Sequence, residues 1–218
     1  MKGVLFGSSQ LKFLCRERLF VDREIEICTF SIPGLTVGEA PFRFDQLRLE
    51  RMNFIVVYLG GNDIDSGREP HDVFNHLLEF AHFLQGSFEN VFLCQLMPRL
   101  DDALCQKHKR FNRRLKKAAD RTIHIVGTEF KFLKHGLADK RLLAADGYHV
   151  DRKHGINALA FCIQRALHTA IGTPLTPAPP HLTPRILRCT RCATCGKTGA
   201  RKLTCGHGEG ICGAFRAH

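Results

Sequence analysis

The chain has 218 residues, 44% of them hydrophobic and 24% charged, the balance of a soluble globular protein with room for one domain and an appendage. Lys and Arg number 32 against 21 Asp and Glu, a net charge of +11, and no apolar run approaches the roughly 18 residues that a membrane helix requires. Val4-Leu5-Phe6 is too short for the apolar region of a secretory leader and no small-residue cleavage site follows it, so an intracellular setting, cytoplasm or nucleus, is expected.

Along the first 172 residues, short β-rich apolar runs alternate with longer segments of helical period. Val4–Phe6 reads as a strand, Leu11–Phe20 as a helix, Glu24–Phe30 as a strand and Asn53–Leu59 as a fully buried strand. Pro70–Leu84 then sets Val73, Leu77, Leu78, Phe80, Ala81 and Leu84 on one helical face. Asn90–Leu96 is expected to be a strand, Asp101–Ala119 a strongly basic helix, Thr122–Val126 a strand and Arg152–Ala170 a final helix. This alternation predicts an α/β fold, a three-layer α/β/α sandwich around a central parallel sheet. Such sheets bind ligands at the carboxyl ends of their strands, so the loops found there are where chemistry is sought.

After the first strand comes Gly7-Ser8-Ser9-Gln10, a sharp turn that exposes a serine hydroxyl and sets its backbone N–H near a helix start. Alone, such a serine is more often a plain N-cap. After the second strand comes Pro33-Gly34-Leu35. After the long buried strand comes Gly60-Gly61-Asn62-Asp63, where the glycines let backbone approach a ligand and the Asn amide can donate to a developing oxyanion. Before the last helix comes Asp146-Gly147-Tyr148-His149, whose carboxylate can fix the tautomer of an imidazole three residues on. Each of these elements in isolation is an ordinary turn.

In their order along the chain they resemble the blocks of the SGNH (GDSL-like) hydrolase family. Gly7-Ser8-Ser9 stands for Gly-Asp-Ser, Gly60-Gly61-Asn62-Asp63 for Gly-x-Asn-Asp, and Asp146-Gly147-Tyr148-His149 for Asp-x-x-His. The resemblance covers about residues 3–170 and implies the family's flavodoxin-like sheet. It implies Ser9 as nucleophile, His149 as general base and Asp146 as its orienting carboxylate. The implied oxyanion hole combines the N–H groups of Ser9 and Gly34 with the Asn62 amide, and Gly60 and Asp63 support it. The implied reaction is hydrolysis of small carboxylic esters through an acyl-enzyme, with no catalytic cofactor, and the short body points to short acyl groups. Ser8 departs from the family's Asp and is a second candidate nucleophile, although the spacing to Gly7 favours Ser9. Asp151-Arg152-Lys153-His154 repeats the last motif without its glycine and reads as the first turn of the final helix.

Residues 173–184 carry five of the nine prolines and form the expected linker, which leaves 1–172 as the hydrolase-like domain and 185–218 as a tail. Residues 173–218 hold seven Lys or Arg and one Glu, more than half the excess charge, together with five of the ten cysteines. The other five, Cys15, Cys28, Cys94, Cys105 and Cys162, read as small buried thiols. Cys192, Cys195, Cys205 and His207, with Cys189 and Cys212 as alternates, have the spacing of a structural zinc site, a single-zinc ribbon or knuckle. The segment resembles the first part of a RING finger but lacks the later ligand pairs, and without metal so short a tail is expected to be disordered. An esterase body with a basic Cys/His tail is similar to proteins of some retrotransposons, in which an esterase domain accompanies nucleic-acid-binding zinc motifs. The alternative to an active esterase is therefore a catalytically weak or inactive scaffold that binds nucleic acid through its basic zinc-binding tail, and the basic helix Lys107–Lys117 would suit phosphate contacts too.

Overall fold

The computed structural model describes residues 1–14, 19, 25–47, 49 and 52–173. Five strands, β1 (Lys2–Gly7), β2 (Glu26–Ser31), β3 (Phe54–Tyr58), β4 (Asn90–Cys94) and β5 (Ile123–Val126), form one parallel sheet in the order β2-β1-β3-β4-β5. Leu5 lies between Thr29 and Val56 in register. Val4, Leu5, Phe6 and all five residues of β3 are buried, which is why these strands read as unbroken apolar runs rather than alternating ones. This is the doubly wound, flavodoxin-like strand order, and the α/β/α sandwich expected from the sequence is the one observed.

Helix α1 (Ala40–Asp45) precedes β3, α2 (Gly61–Asp65) and α3 (Pro70–Gln85) follow it, and α4 (Asp102–Leu115) follows β4. Phe44 of α1 meets Phe6 edge-on at 5.5 Å and Phe80 of α3 at 6.0 Å, so α1 and α3 share one face of the sheet. Helix α4 is capped by the Asp101 carboxylate, which accepts from Leu104 N at 2.8 Å. A short helix α5 (Glu129–Phe132) and a small hairpin, β6 (Leu133–Lys134) with β7 (Leu137–Ala138), lead from β5 to the last helix, α6 (His154–Ile171). Gln164 of α6 donates to the Leu19 carbonyl, which ties that helix to the connection between β1 and β2. Because β1 runs to β2 in one direction and β3, β4 and β5 extend in the other, the carboxyl ends of β1 and β3 flank the topological switch point.

One expected element takes a different form. The chain leaves β1 not into a helix from Leu11 but into a single 3-10 turn, Ser9–Leu11, in which Leu11 N donates to Ser8 O and Lys12 N to Ser9 O. Those i to i+3 bonds tighten the backbone at Ser9 itself; much of the remaining expected helix, 15–18 and 20, lies outside the described residues. Among the described residues Cys94, Cys105 and Cys162 are buried free thiols and Cys28 is half-buried. Burial pushes the Cys162 thiol up to about 12 and raises Cys94 and Cys28 as well, which keeps all three protonated.

Candidate active site

Ser9 and, 140 residues further along, His149 with its neighbour Asp146 form one hydrogen-bonded line. Ser9 Oγ lies 2.9 Å from His149 Nε2, and His149 Nδ1 lies 2.8 Å from Asp146 Oδ2. The other oxygen of Asp146 accepts the backbone N–H groups of Tyr148 at 2.8 Å and His149 at 2.9 Å. Burial alone would raise the Asp146 carboxyl, but the His149 backbone N–H, its ring and the Tyr148 N–H outweigh it and hold the group at about 2. An ionised carboxylate only accepts, so Nδ1 carries the ring proton and Nε2 presents its lone pair to the serine hydroxyl. The imidazole meets Ser9 and not Ser8, whose carbonyl instead accepts from Ser31 Oγ at 3.0 Å and from Leu11 N at 3.2 Å.

Three adjacent strands deliver the oxyanion candidates: Ser9 follows β1, Gly34 follows β2 and Asn62 follows β3. The N–H groups of Ser9 and Gly34 have no backbone acceptor among the described residues. Asn62 Nδ2 donates one hydrogen to Leu35 O at 2.9 Å, which ties the second loop to the third and leaves its other amide hydrogen available. Gly60 is left-handed at φ 100°, and a Cβ there would sit 3.1 Å from Val73 and 3.3 Å from Phe111, so its part is to start α2 at the right place. Asp63 is fully buried; its carboxylate accepts from Val37 N at 3.0 Å and from Arg68 Nη1 at 2.8 Å, binding the Gly34 loop to α2.

The support of His149 was not anticipated from the sequence. Gln10, buried beside Ser9, donates from Nε2 to the Tyr148 carbonyl at 2.9 Å and accepts the Val150 N–H on Oε1 at 3.1 Å. Both peptides flanking the histidine are thereby held by the residue after the serine. Arg99 reinforces one of them, donating from Nη1 to Tyr148 O at 2.5 Å with its guanidinium over the Tyr148 ring. Arg99 is itself fixed by Asp65, which takes Nη2 at 2.7 Å and Nε at 3.1 Å and also contacts buried His108 Nε2 at 3.1 Å. Burial would raise the Asp65 carboxyl, but the bonds from His108 and Arg99 prevail and keep it below its ordinary value. Gly147, at φ 72°, lets the loop turn under Leu100, to which a Cβ would approach within 3.1 Å.

The second Asp-x-x-His has a structural part. Asp151 Oδ1 accepts from Lys153 N at 3.0 Å and from His154 N at 2.7 Å, which fixes the turn that leads into α6. The zinc-ligand candidates Cys189, Cys192, Cys195, Cys205, His207 and Cys212 lie outside the described residues. Among the described residues no group of three His, Cys, Asp or Glu side chains is arranged to hold a metal ion, and no helix is long and apolar enough to cross a membrane.

No protein-family profile and no curated protein sequence matches the chain. Solved structures do. A GDSL-like lipase from Bacteroides thetaiotaomicron superposes with a TM-score of 0.65 at 16% identity, over 78% of this chain and 89% of that one. A member of the lipolytic G-D-S-L family from Veillonella parvula gives 0.63 at 18%, over 75% and 96%. An acetylxylan esterase from Geobacillus stearothermophilus gives 0.61 at 15%, over 79% and 94%. At these identities the likeness is one of fold, and the fold that this chain shares with all three is that of the SGNH hydrolases.

Proposed function

We propose that the chain is a serine esterase that hydrolyses small carboxylic esters through Ser9, His149 and Asp146. The observation that carries this reading is the continuous line from Ser9 Oγ through the His149 ring to the Asp146 carboxylate. Ser9 Oγ attacks the ester carbonyl while its proton passes to His149 Nε2. The resulting imidazolium is stabilised by Asp146, whose low-lying carboxyl stays ionised. The carbonyl oxygen gains negative charge and is met by the N–H groups of Ser9 and Gly34 and the free amide hydrogen of Asn62. Collapse expels the alcohol, which takes the proton from Nε2 and leaves an acyl-Ser9 ester. Water, deprotonated by the same nitrogen, attacks this ester; collapse frees the carboxylic acid and returns the proton to Ser9 Oγ.

The site favours short acyl groups. The side chains of His149 and Asp146 are 48% and 49% exposed, so little surface closes around a long chain. Acetylxylan, which the name of one structural neighbour gives as its substrate, carries an acyl group of that class. Hydrolysis of p-nitrophenyl acetate, butyrate and octanoate by the full chain tests the reading. Turnover of acetate above that of octanoate is the expected result; no turnover of any ester, or turnover that survives Ser9→Ala, would count against it.

A further inference from the structure

A groove of about 900 Å³ lies between α3 and α4, and none of the residues assigned to the Ser9 site lines it. Phe74 and Leu78 of α3, both half-buried, supply its apolar part. Its other wall is basic: Arg110, Arg113 and Arg114 of α4 and Lys117 just beyond it are all exposed. At i, i+3, i+4 and i+7 these four share one helical face. That face is about 10 Å long at about 1.5 Å per residue.

The neighbouring Lys116 pairs with Glu129 at 2.6 Å, and Lys109 donates to the Gly136 carbonyl at 2.8 Å. Among the described residues none of the four has an ion-pair partner within 4.0 Å, and Glu69 is the one carboxylate that lines the groove. Like charges three and four residues apart weaken a helix. The negative end of the helix dipole offsets this for last-turn Arg113 and Arg114 but less for Arg110, a turn earlier.

We propose that this groove binds single-stranded nucleic acid, with phosphates along the Arg110–Lys117 stripe and a base against Phe74. Guanidinium groups take phosphate oxygens in pairs, and three of the four cations are arginines. With the reach of its side chains, a stripe of that length spans about three consecutive phosphates of one strand. An aromatic ring beside a cationic track is the pairing that holds single strands without reading their sequence. An acidic peptide would leave the Phe74 surface without a stacking partner. A membrane would need Phe74 and Leu78 to protrude, whereas both line a recess. This site is independent of the ester chemistry at Ser9.

Fluorescence anisotropy of the full chain with a labelled 12-nucleotide oligouridine tests it, with the quadruple variant Arg110→Ala, Arg113→Ala, Arg114→Ala, Lys117→Ala and the single variant Phe74→Ala measured in parallel. The quadruple variant is expected to bind more weakly and to lower the slope of log affinity against log salt by about 2, roughly 0.7 for each of about three lost phosphate contacts. Phe74→Ala is expected to weaken binding about tenfold with the slope unchanged. Unchanged affinity and slope in the quadruple variant would overturn the proposal, as would equal affinity for base-free polyphosphate. Photocrosslinking of the unaltered chain to a 4-thiouridine oligomer provides a readout that no substitution can disturb. Adducts within 69–78 or 110–118 support the groove; adducts confined to 173–218 overturn it.

Discussion

Gln10 donates to the carbonyl of Tyr148 at 2.9 Å while its other side-chain atom accepts from Val150, so the residue after the nucleophile candidate fixes the backbone on both sides of His149. Gln10→Ala removes both bonds and leaves the buried Val150 N–H without its acceptor. The expected cost is about 1–3 kcal/mol of stability. In turnover we expect a fall of about tenfold with KM nearly unchanged, because a displaced imidazole loses alignment rather than substrate affinity. Steady-state kinetics beside urea unfolding separates the cases: lost stability with unaltered kcat would make Gln10 a packing residue only.

Asn62→Ala removes a donor aimed at charge that develops only in the transition state. A loss of about 3 kcal/mol, on the order of a hundredfold in kcat, is expected with little change in KM. Because Asn62 also donates to Leu35 O, thermal unfolding of the variant shows how much of any loss comes from loosening of the Gly34 loop.

Asp63 is fully buried and answers both Val37 N and Arg68, so Asp63→Ala frees the Gly34 loop at its base. Removing one member of a buried ion pair costs about 3–5 kcal/mol, and the low end applies because Arg68 is partly exposed. Urea denaturation measures it, and a loss below about 1 kcal/mol would show that the loop is held by other contacts.

The pH dependence of stability tests the Asp146 environment. Its carboxyl is held near 2 in the folded chain against an ordinary value of about 3.9 unfolded, so the unfolded state binds the proton more readily. The stability it contributes is fully present above the ordinary value and is lost as pH falls toward 2. The stability difference between the unaltered chain and Asp146→Asn should therefore shrink as pH falls from about 4 toward 2. A difference that does not change with pH would mean that the carboxyl is not depressed.

How legible the molecule was in its sequence depended on the kind of signal. Apolar runs such as Phe54–Tyr58 and the periodic face of Pro70–Leu84 declared the sheet and its covering helices, because both layers must bury them. Ser9, Asn62, Asp146 and His149 could be named because each sits in a short block beside a strand end or the last helix. Gln10 and Arg99 could not, since their partners in the His149 loop are carbonyl and N–H groups 49 to 140 residues away, and a buried amide or guanidinium leaves no periodic trace. Helices α1 and α2, with six and five residues, are too short to show a helical period, and the 3-10 turn at Ser9 is set by local bonds that a hydrophobic pattern does not encode.

Activation of Ser9 by His149 is tested most directly by a fluorophosphonate probe, which labels only an activated serine. Incubation of the full chain with the probe, followed by peptide mapping, should place a single adduct on Ser9, and His149→Ala should abolish it while the variant remains folded. No adduct on the unaltered chain, an adduct on Ser8, or labelling of Ser9 that persists in His149→Ala would contradict it.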